Sequence, residues 1–312
     1  MAANETGKNE NELKELSDDA LYKIEVGANR YDLLCLEGIA MALKVFLKIS
    51  KPPVYKQLSL KESYNGKEYQ KFYVDKSVIN VRHFACSAIL RNIKFTESSL
   101  KSFIDLQDKL HQNVCRQRSL ATMGTHDLDS VKGPFYFKAE KPEDINFIAL
   151  KRTKSTNGVE LLNILKDDMK LKKYCHLLEG KEMYPVLYDS QGITMAMPPM
   201  INSEHSKITV DTKNVIIDVT AHDETKANIV LNMLITMFSV YSEQQFTYEP
   251  VEVIDSNGKS ELYPKLQNSE FNVDLKYITK LAGVGDISNK QVCDLLEKMG
   301  IIAVSNSANE NK

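Results

Sequence analysis

Apolar residues return along this chain at two spacings, one helical and one strand-like, and their alternation outlines an α/β protein. Phe103, Leu106, Leu110 and Val114 recur every three or four positions, as on a helix with one face in a core. Thr96 is placed to cap that helix. Ser99 stands where a complete capping box carries Glu or Gln, so the pattern predicts an incomplete box. A clearer helix follows Asp223, its predicted cap, with Ala227, Val230, Leu231, Leu234, Ile235 and Phe238 on one face. Another is predicted with Asn29 or Asp32 as cap and Leu33, Leu36, Ile39, Ala40, Leu43 and Phe46 as its buried stripe, ending ahead of Pro52 and Pro53. "NGVELLNILKDDMKLKKYCHLL" reads as a helix plus a short turn of another.

Strand patterns occupy much of the remainder. Residues 21–26, "YQKFYVDKSVI", "VRHFACSAILRNIKF", "LATMGTHDLD" and "KNVIIDVTAHD" carry the β-branched and aromatic residues that fit a pleated sheet. "MYPVLYDSQGITMAMPP" reads as a hairpin turning through Asp189-Ser190-Gln191-Gly192, and "FTYEPVEVI" with "ELYPKL" as a second. Past 268 the pattern changes to two short helices and the start of a strand. A domain boundary is therefore expected near 268–272. Residues 1–17 are polar and are expected to be disordered.

Composition narrows the function classes. The chain has 312 residues, 43% hydrophobic and 26% charged, an ordinary globular balance. Its 40 basic and 42 acidic residues give a net charge of -2, so no global basic field steers it onto nucleic acid. Any such contact must come from a local patch or another subunit. Five cysteines, Cys35, Cys86, Cys115, Cys175 and Cys293, show no CxxC spacing. That pattern fits a reducing compartment and argues against structural zinc. No apolar run reaches the ~18 residues of a membrane span, and no secretory leader pattern is present, so a cytosolic protein is expected.

No P-loop, GxGxxG, HExxH or GxSxG signature occurs. His111 and Cys115 lie four residues apart and can face one another, but a nucleophilic pair needs a third, orienting group. Gln107, His111, Cys115 and Arg118 form a partly polar stripe beside the apolar one. It fits a solvated flank or a pocket wall. Thr125, His126 and Asp127 fit turn chemistry, with Asp127 closing an Asx turn. "MPPMINSEHSKIT" is a proline-stiffened polar loop in which Asn202, Ser203, Ser206 and Lys207 suit a binding site or an ordinary connection.

Longer blocks decide between these readings. "KIEVGANRYDLLCLEGIA", "AILRNIKF", "FIDLQDKLHQNVCRQRSLATMGTHDLD", "YPVLYDSQGITMAMPPMINSEHSKIT" and "VIIDVTAHDETKANIVLNMLITMFS" closely resemble, in order, the β-subunit family of phenylalanyl-tRNA synthetase, archaeal and eukaryotic cytosolic type. The resemblance implies an α/β (α+β) fragment of several domains. Residues 18–79 would be a partial N-terminal module and linker. Residues 80–268 would be a central mixed-sheet editing domain packed by helices, and 269–312 the truncated start of a helical module. It implies a part of the phenylalanine-tRNA ligase β subunit that supports charging of tRNA(Phe) and hydrolyses mischarged Tyr-tRNA(Phe). The alternative is a non-catalytic scaffold that positions tRNA. The implied partners are the α subunit, in an α2β2 heterotetramer, and tRNA(Phe), in the cytoplasm and away from membranes. No cofactor is implied for this fragment, whereas the complete synthetase uses ATP and Mg2+ on its α side.

The family's editing pocket maps here onto Gln107, Asp108, Arg118, Leu187, Ala196 and Asn202, with Lys207 where Arg or Lys is usual. Asp108 replaces the more frequent Glu and reaches one methylene less. The pocket must prefer the residue that carries an extra hydroxyl, so it needs a polar partner left unpaired by phenylalanine. Gln107, Asp108 and Asn202 are the candidates for that reading and for assisting hydrolysis. On a helix running straight through Arg118, Asp108 and Arg118 would lie ~15 Å apart. Asp108 would then face the amino acid and Arg118 the tRNA end.

Overall fold

The computed structural model describes residues 23–27, 29–63 and 66–305. Residues up to 30 form one unit and those from 31 onward a second. The expected disorder of 1–17 and the first two positions of the strand expected over 21–26 lie outside the described residues. Positions 23–26 form no strand, and a turn closes through Arg30 N–H to Gly27 O at 2.9 Å.

The larger unit mixes helices and strands. A 3-10 turn at Tyr31–Leu33 leads into α1 (Leu36–Phe46), followed by β1 (Lys56–Gln57), β2 (Gln70–Val74) and β3 (Phe84–Leu90). Then come α2 (Glu97–Gln112), β4 (Ala121–Asp127), β5 (Phe135–Glu140), β6 (Asn146–Phe147) and β7 (Thr156–Asn157). After α3 (Gly158–Lys166) and a 3-10 stretch at Lys172–Leu177 run β8 (Tyr184–Tyr188), β9 (Thr194–Met197), β10 (Ile201–Asn202) and β11 (Val215–Ala221). The chain continues through α4 (Glu224–Phe238), β12 (Thr247–Ile254), β13 (Ser260–Tyr263), α5 (Leu275–Ala282) and α6 (Asn289–Lys298). No strand follows α6 among the described residues, contrary to the pattern at 301–304.

The main sheet is mixed and runs β10-β9-β8-β5-β2-β12-β3-β11-β4, with β1 and β13 also on β12. β2 is parallel to both β5 and β12, while β11 is antiparallel to β3 and β4. The two ends of the path meet. Asn202 Nδ2 donates to Thr125 O at 3.4 Å, and Asp127 N–H donates to Ser206 O at 2.9 Å. These contacts bring a near-barrel to closure along a seam between β4 and the β10 segment.

The principal core lies between the sheet and helices α2 and α4. Phe103, Leu106 and Leu110 of α2 are fully buried, as their spacing predicts, and Val114 beyond its end is buried with them. All six apolar positions predicted for α4 are buried, and Asp223 caps it through Lys226 N–H at 3.0 Å. Phe103 and Phe238 join the two helices with ring centroids 4.6 Å apart. A second cluster, with Ile145, Phe147, Leu161, Leu165 and Tyr174, packs with residues of β8 and the β9–β10 segment.

Two caps differ from their expectation. Ser99 does complete the capping box of α2: Thr96 Oγ1 accepts from Ser99 N–H at 3.1 Å, and Ser99 Oγ accepts from Thr96 N–H at 2.8 Å. A serine hydroxyl is long enough for the return bond. Helix α1 is capped by Cys35, whose Sγ accepts from Gly38 N–H at 3.5 Å, rather than by Asn29 or Asp32. Its predicted stripe is also not its buried face, since Leu36, Leu43 and Phe46 are at least half exposed. The helix packs instead through Glu37 and Gly38. Glu37 accepts from Ser102 Oγ at 2.7 Å and Tyr241 Oη at 2.8 Å. A Cβ on Gly38 would meet Asp32 O at 1.8 Å and Met237 Sδ at 2.9 Å, so only glycine permits that approach.

Candidate functional site

The seam gathers most of the residues singled out from the sequence. Thr125 and His126 are buried inside β4, not in a turn, because β11 pairs with the whole strand. Asp127, at its end, does close an Asx turn through Asp129 N–H at 3.0 Å. Gln107 sits on the flank of α2, and its Oε1 accepts from Thr125 Oγ1 at 3.5 Å. Asn202 approaches the same threonine through its carbonyl. Asn202 pairs in register with Ala196, and Ala196 with Leu187. Both apolar residues are buried, which makes them backing for the seam rather than polar readers.

Arg118 enters by a route that the helical pattern does not show. Helix α2 ends at Gln112 rather than continuing to 118. Arg116, Gln117 and Arg118 then all take positive φ, at 47°, 53° and 66°. Left-handed backbone costs a non-glycine residue roughly 1–2 kcal/mol. The turn folds the guanidinium back, so Asp108 and Arg118 are not at opposite ends of one straight rod. Nη1 donates to Pro199 O at 3.1 Å and Met200 O at 2.9 Å, and the guanidinium lies 4.4 Å from the ring centroid of Tyr174. Burial lowers the Arg118 pKa, with Tyr174 and then Asp108 acting in the opposite direction. Asp108 itself is exposed beside Gln107.

His111 and Cys115 do not form a nucleophilic pair. Burial pushes the Cys115 thiol up to about 12, so it stays protonated. His111 Nε2 faces Thr122 Oγ1 at 3.0 Å and accepts from Met123 N–H at 3.2 Å. Burial, then Arg118 and Arg82, hold its pKa well below the usual value, so the ring is neutral. With Nε2 accepting, the proton belongs on Nδ1.

Three buried nitrogens in this region then lack an acceptor among the described residues: Gln107 Nε2, His111 Nδ1 and Arg118 Nε. Turning the Gln107 amide over would leave its oxygen unpaired instead. Buried polar groups are ordinarily satisfied, so each of these unpaired donors is available to an incoming acceptor. Lys207 is engaged differently, in an ion pair with Glu204 at the surface.

Sequence reasoning named His126 and Ser206 for other roles and missed Asp218, with which they form the deeper support of the seam. His126 Nδ1 lies 2.8 Å from Ser206 Oγ, and its Nε2 lies 3.0 Å from Asp218 Oδ1, all three residues being buried. The signal available was a His and an Asp in strands of high apolar content, where only a mutual partner makes burial tolerable. Among the described residues no group of three or more His, Cys, Asp or Glu is arranged to hold a metal. A cavity of about 650 Å³ lined by Tyr69, Lys71, Tyr73, Arg91 and Lys132 includes none of the candidate site residues Gln107, Asp108, Arg118, Leu187, Ala196, Asn202 and Lys207.

Known proteins share this fold and these segments. The family model for the Phe-tRNA synthetase beta subunit B1 domain matches residues 2–49, and that for the B3/4 domain matches 70–234. The phenylalanine–tRNA ligase beta subunit of Dictyostelium discoideum is 49% identical over 301 residues, covering 95% of this chain and 48% of that protein. The mouse protein of the same name, from Mus musculus, is 51% identical over 268 residues, 86% of this chain and 45% of its own. The cytoplasmic beta subunit of Arabidopsis thaliana is 44% identical over 308 residues, 98% and 51%. The chain thus spans about half the length of these relatives. A crystal structure of an N-terminal fragment of the phenylalanyl-tRNA synthetase beta subunit from Pyrococcus horikoshii matches with a TM-score of 0.79 at 32% identity, over 89% of this chain and 76% of that one. Fold and similarity agree, and the chain belongs to the phenylalanyl-tRNA synthetase β-subunit family.

Proposed function

We propose that this chain is the editing portion of a cytoplasmic phenylalanine-tRNA ligase β subunit, and that it hydrolyses the ester of Tyr-tRNA(Phe). The single observation that carries this reading is the set of buried donors without acceptors on Gln107, His111 and Arg118. An aminoacyl ester brings a carbonyl oxygen that becomes an oxyanion during attack, and tyrosine adds a phenolic oxygen. Both are acceptors. Fixed donors aimed at a developing oxyanion are worth more than in water, because they need no reorganisation. The ester is already activated, so a positioned water and the tRNA terminal hydroxyl complete the reaction without a metal or a triad. The editing unit corresponds to residues 80–268, completed by β1 and β2 from the segment before it, since both belong to the same sheet. In the whole β subunit it acts beside an α subunit, in an α2β2 assembly whose ATP- and Mg2+-dependent charging of tRNA(Phe) lies outside this chain. The cytoplasmic setting is supported by the name of the Arabidopsis relative.

Asp108, exposed beside Gln107, is assigned to the amino-acid end, through the phenol or the ammonium. Asp108→Ala should therefore slow deacylation of Tyr-tRNA(Phe) by about tenfold while tRNA affinity stays within about twofold. If the parent chain leaves Tyr-tRNA(Phe) intact, the tRNA-positioning scaffold is the better description. Lys207 is the cation assigned to a backbone phosphate, its carboxylate partner holding it at the surface. Lys207→Ala should lower the slope of log affinity against log salt by about 0.7–1 without changing turnover. An unchanged slope would remove Lys207 from the interface.

A further inference from the structure

Arg82 is a buried cation with no evident employment. It lies between the 3-10 turn at Lys76–Val78 and β3, only 3% exposed. Burying a guanidinium is costly unless a carboxylate offsets it. Among the described residues no carboxylate stands within ion-pairing distance of Arg82. Its donors go instead to Thr220 Oγ1, from Nε at 3.0 Å, and to Arg118 O, from Nη2 at 3.2 Å. The second acceptor is informative. It is the main-chain carbonyl of the last residue in the left-handed run 116–118, where each side chain disfavours the conformation adopted.

The bonds continue from there in one direction. Thr220 belongs to β11, in the middle of the paired strands β3-β11-β4, and is fully buried. From this rigid base Arg82 reaches Arg118. The Arg118 guanidinium reaches the carbonyls of Pro199 and Met200. Two residues further on, Asn202 closes the seam onto Thr125. Within the turn the other contacts are local: Arg116 O accepts from Ser119 Oγ at 2.6 Å, and Leu120 N–H donates to Cys115 O at 3.1 Å, while the next tie toward β11 comes only past the turn, from His222 N–H to Leu120 O at 2.9 Å. Neither of the two local contacts ties the turn to β11.

We propose that Arg82 is a positioning residue for the editing site: it anchors the strained 116–118 turn to β11, and so aims Arg118 at the segment that carries Asn202. The role rests on the editing function proposed above for its catalytic consequence, but the anchoring itself does not. Arg82 touches no substrate in this arrangement; it acts through Arg118.

The two parts separate experimentally. Amide hydrogen exchange on Arg82→Met should rise by about tenfold or more at 116–120 and at 199–203, with α4 protection unchanged. Arg82→Lys keeps the length and charge but can satisfy only part of the fork, so it should raise exchange at the same two segments by less. It also serves if Arg82→Met fails to fold. A uniform rise across the fold, or a rise at 116–120 with 199–203 unchanged, would overturn the anchoring. In deacylation of Tyr-tRNA(Phe), Arg82→Met and Arg118→Met should be non-additive, the double variant losing no more than about twofold beyond Arg118→Met. Additive losses would show that Arg82 does not act through Arg118. A parent without deacylase activity would sink the editing function and leave the exchange result to decide the anchoring.

Discussion

Asp218→Ala should cost the fold about 2–3 kcal/mol, the upper part of the range for leaving a buried polar group without its hydrogen-bond partner. Asp218 sits on β11 opposite Gly124 of β4, and its Oδ1 meets His126 Nε2 at 3.0 Å, with both residues buried. Truncation leaves the His126 ring nitrogen in the interior with neither water nor an acceptor. Gly124→Ala should act on the same pair from the other side. A Cβ there would lie 2.4 Å from Asp218 Oδ1 and 2.8 Å from His126 Nε2, so the carboxylate must move away from the ring. Neither backbone can yield, since β4 and β11 are paired from Val215↔Asp127 to Ala221↔Ala121. Domains have about 5–15 kcal/mol of stability in total, so either change takes a large share of it. Asp218→Asn keeps one hydrogen bond to the imidazole and should lose less than Asp218→Ala. Urea melts with an unchanged slope measure the difference. A loss below about 1 kcal/mol for Asp218→Ala would mean that water or a rearranged side chain replaces the carboxylate.

The same pair shows where local pattern stops informing. Helix α4 was legible because its stripe is regular, its cap is an Asp, and its neighbours in space need not be known. Strand β5 is hard to see in the sequence, although Phe135, Phe137 and Ala139 are buried in strict alternation, because it follows a loop without an apolar run to announce it. The stripe of α1 misled for the opposite reason. It has good periodicity, yet Gly38 and Glu37 face the protein, and their fit depends on Asp32, Ser102, Met237 and Tyr241. Gln107 could be flagged as a polar residue beside a core stripe. Its partner Thr125 could not be named, since the bond depends on how β4 docks against α2. The turn that redirects Arg118 has no glycine or proline to mark it, only Arg116 and Gln117 in conformations that side chains disfavour. Barrel closure is further still from local signals. Asn202 and Thr125 are 77 residues apart, and His126 and Ser206 are 80 apart. No periodicity within either segment encodes that meeting.

On the proposed editing function, Arg118→Ala should lower turnover of Tyr-tRNA(Phe) about 100-fold, about 2.7 kcal/mol of transition-state free energy, while leaving the salt dependence of tRNA binding unchanged. A straight helix would have aimed this guanidinium at the tRNA end, and its removal would then have flattened the salt dependence. The folded turn changes the expectation. A phosphate contact needs donors free to meet an anion, and here Nη1 is committed to two main-chain carbonyls while one face of the group lies over Tyr174. Neither carbonyl is charged, so the group keeps its positive field, but its position is set by the protein rather than by a ligand. Among the buried donors of the group only Nε–H is left without a partner, and on the proposed function it serves an acceptor on the ester. Losing the side chain therefore removes one donor from the site and also frees Pro199 and Met200, which let Asn202 drift from Thr125. Both losses fall on the chemical step. Arg118→Lys should recover little, because a single ammonium cannot span two carbonyls and still present a donor at the Nε position. Turnover within about twofold of the parent for Arg118→Ala, or a salt slope reduced by about one, would instead place Arg118 on the nucleic-acid side.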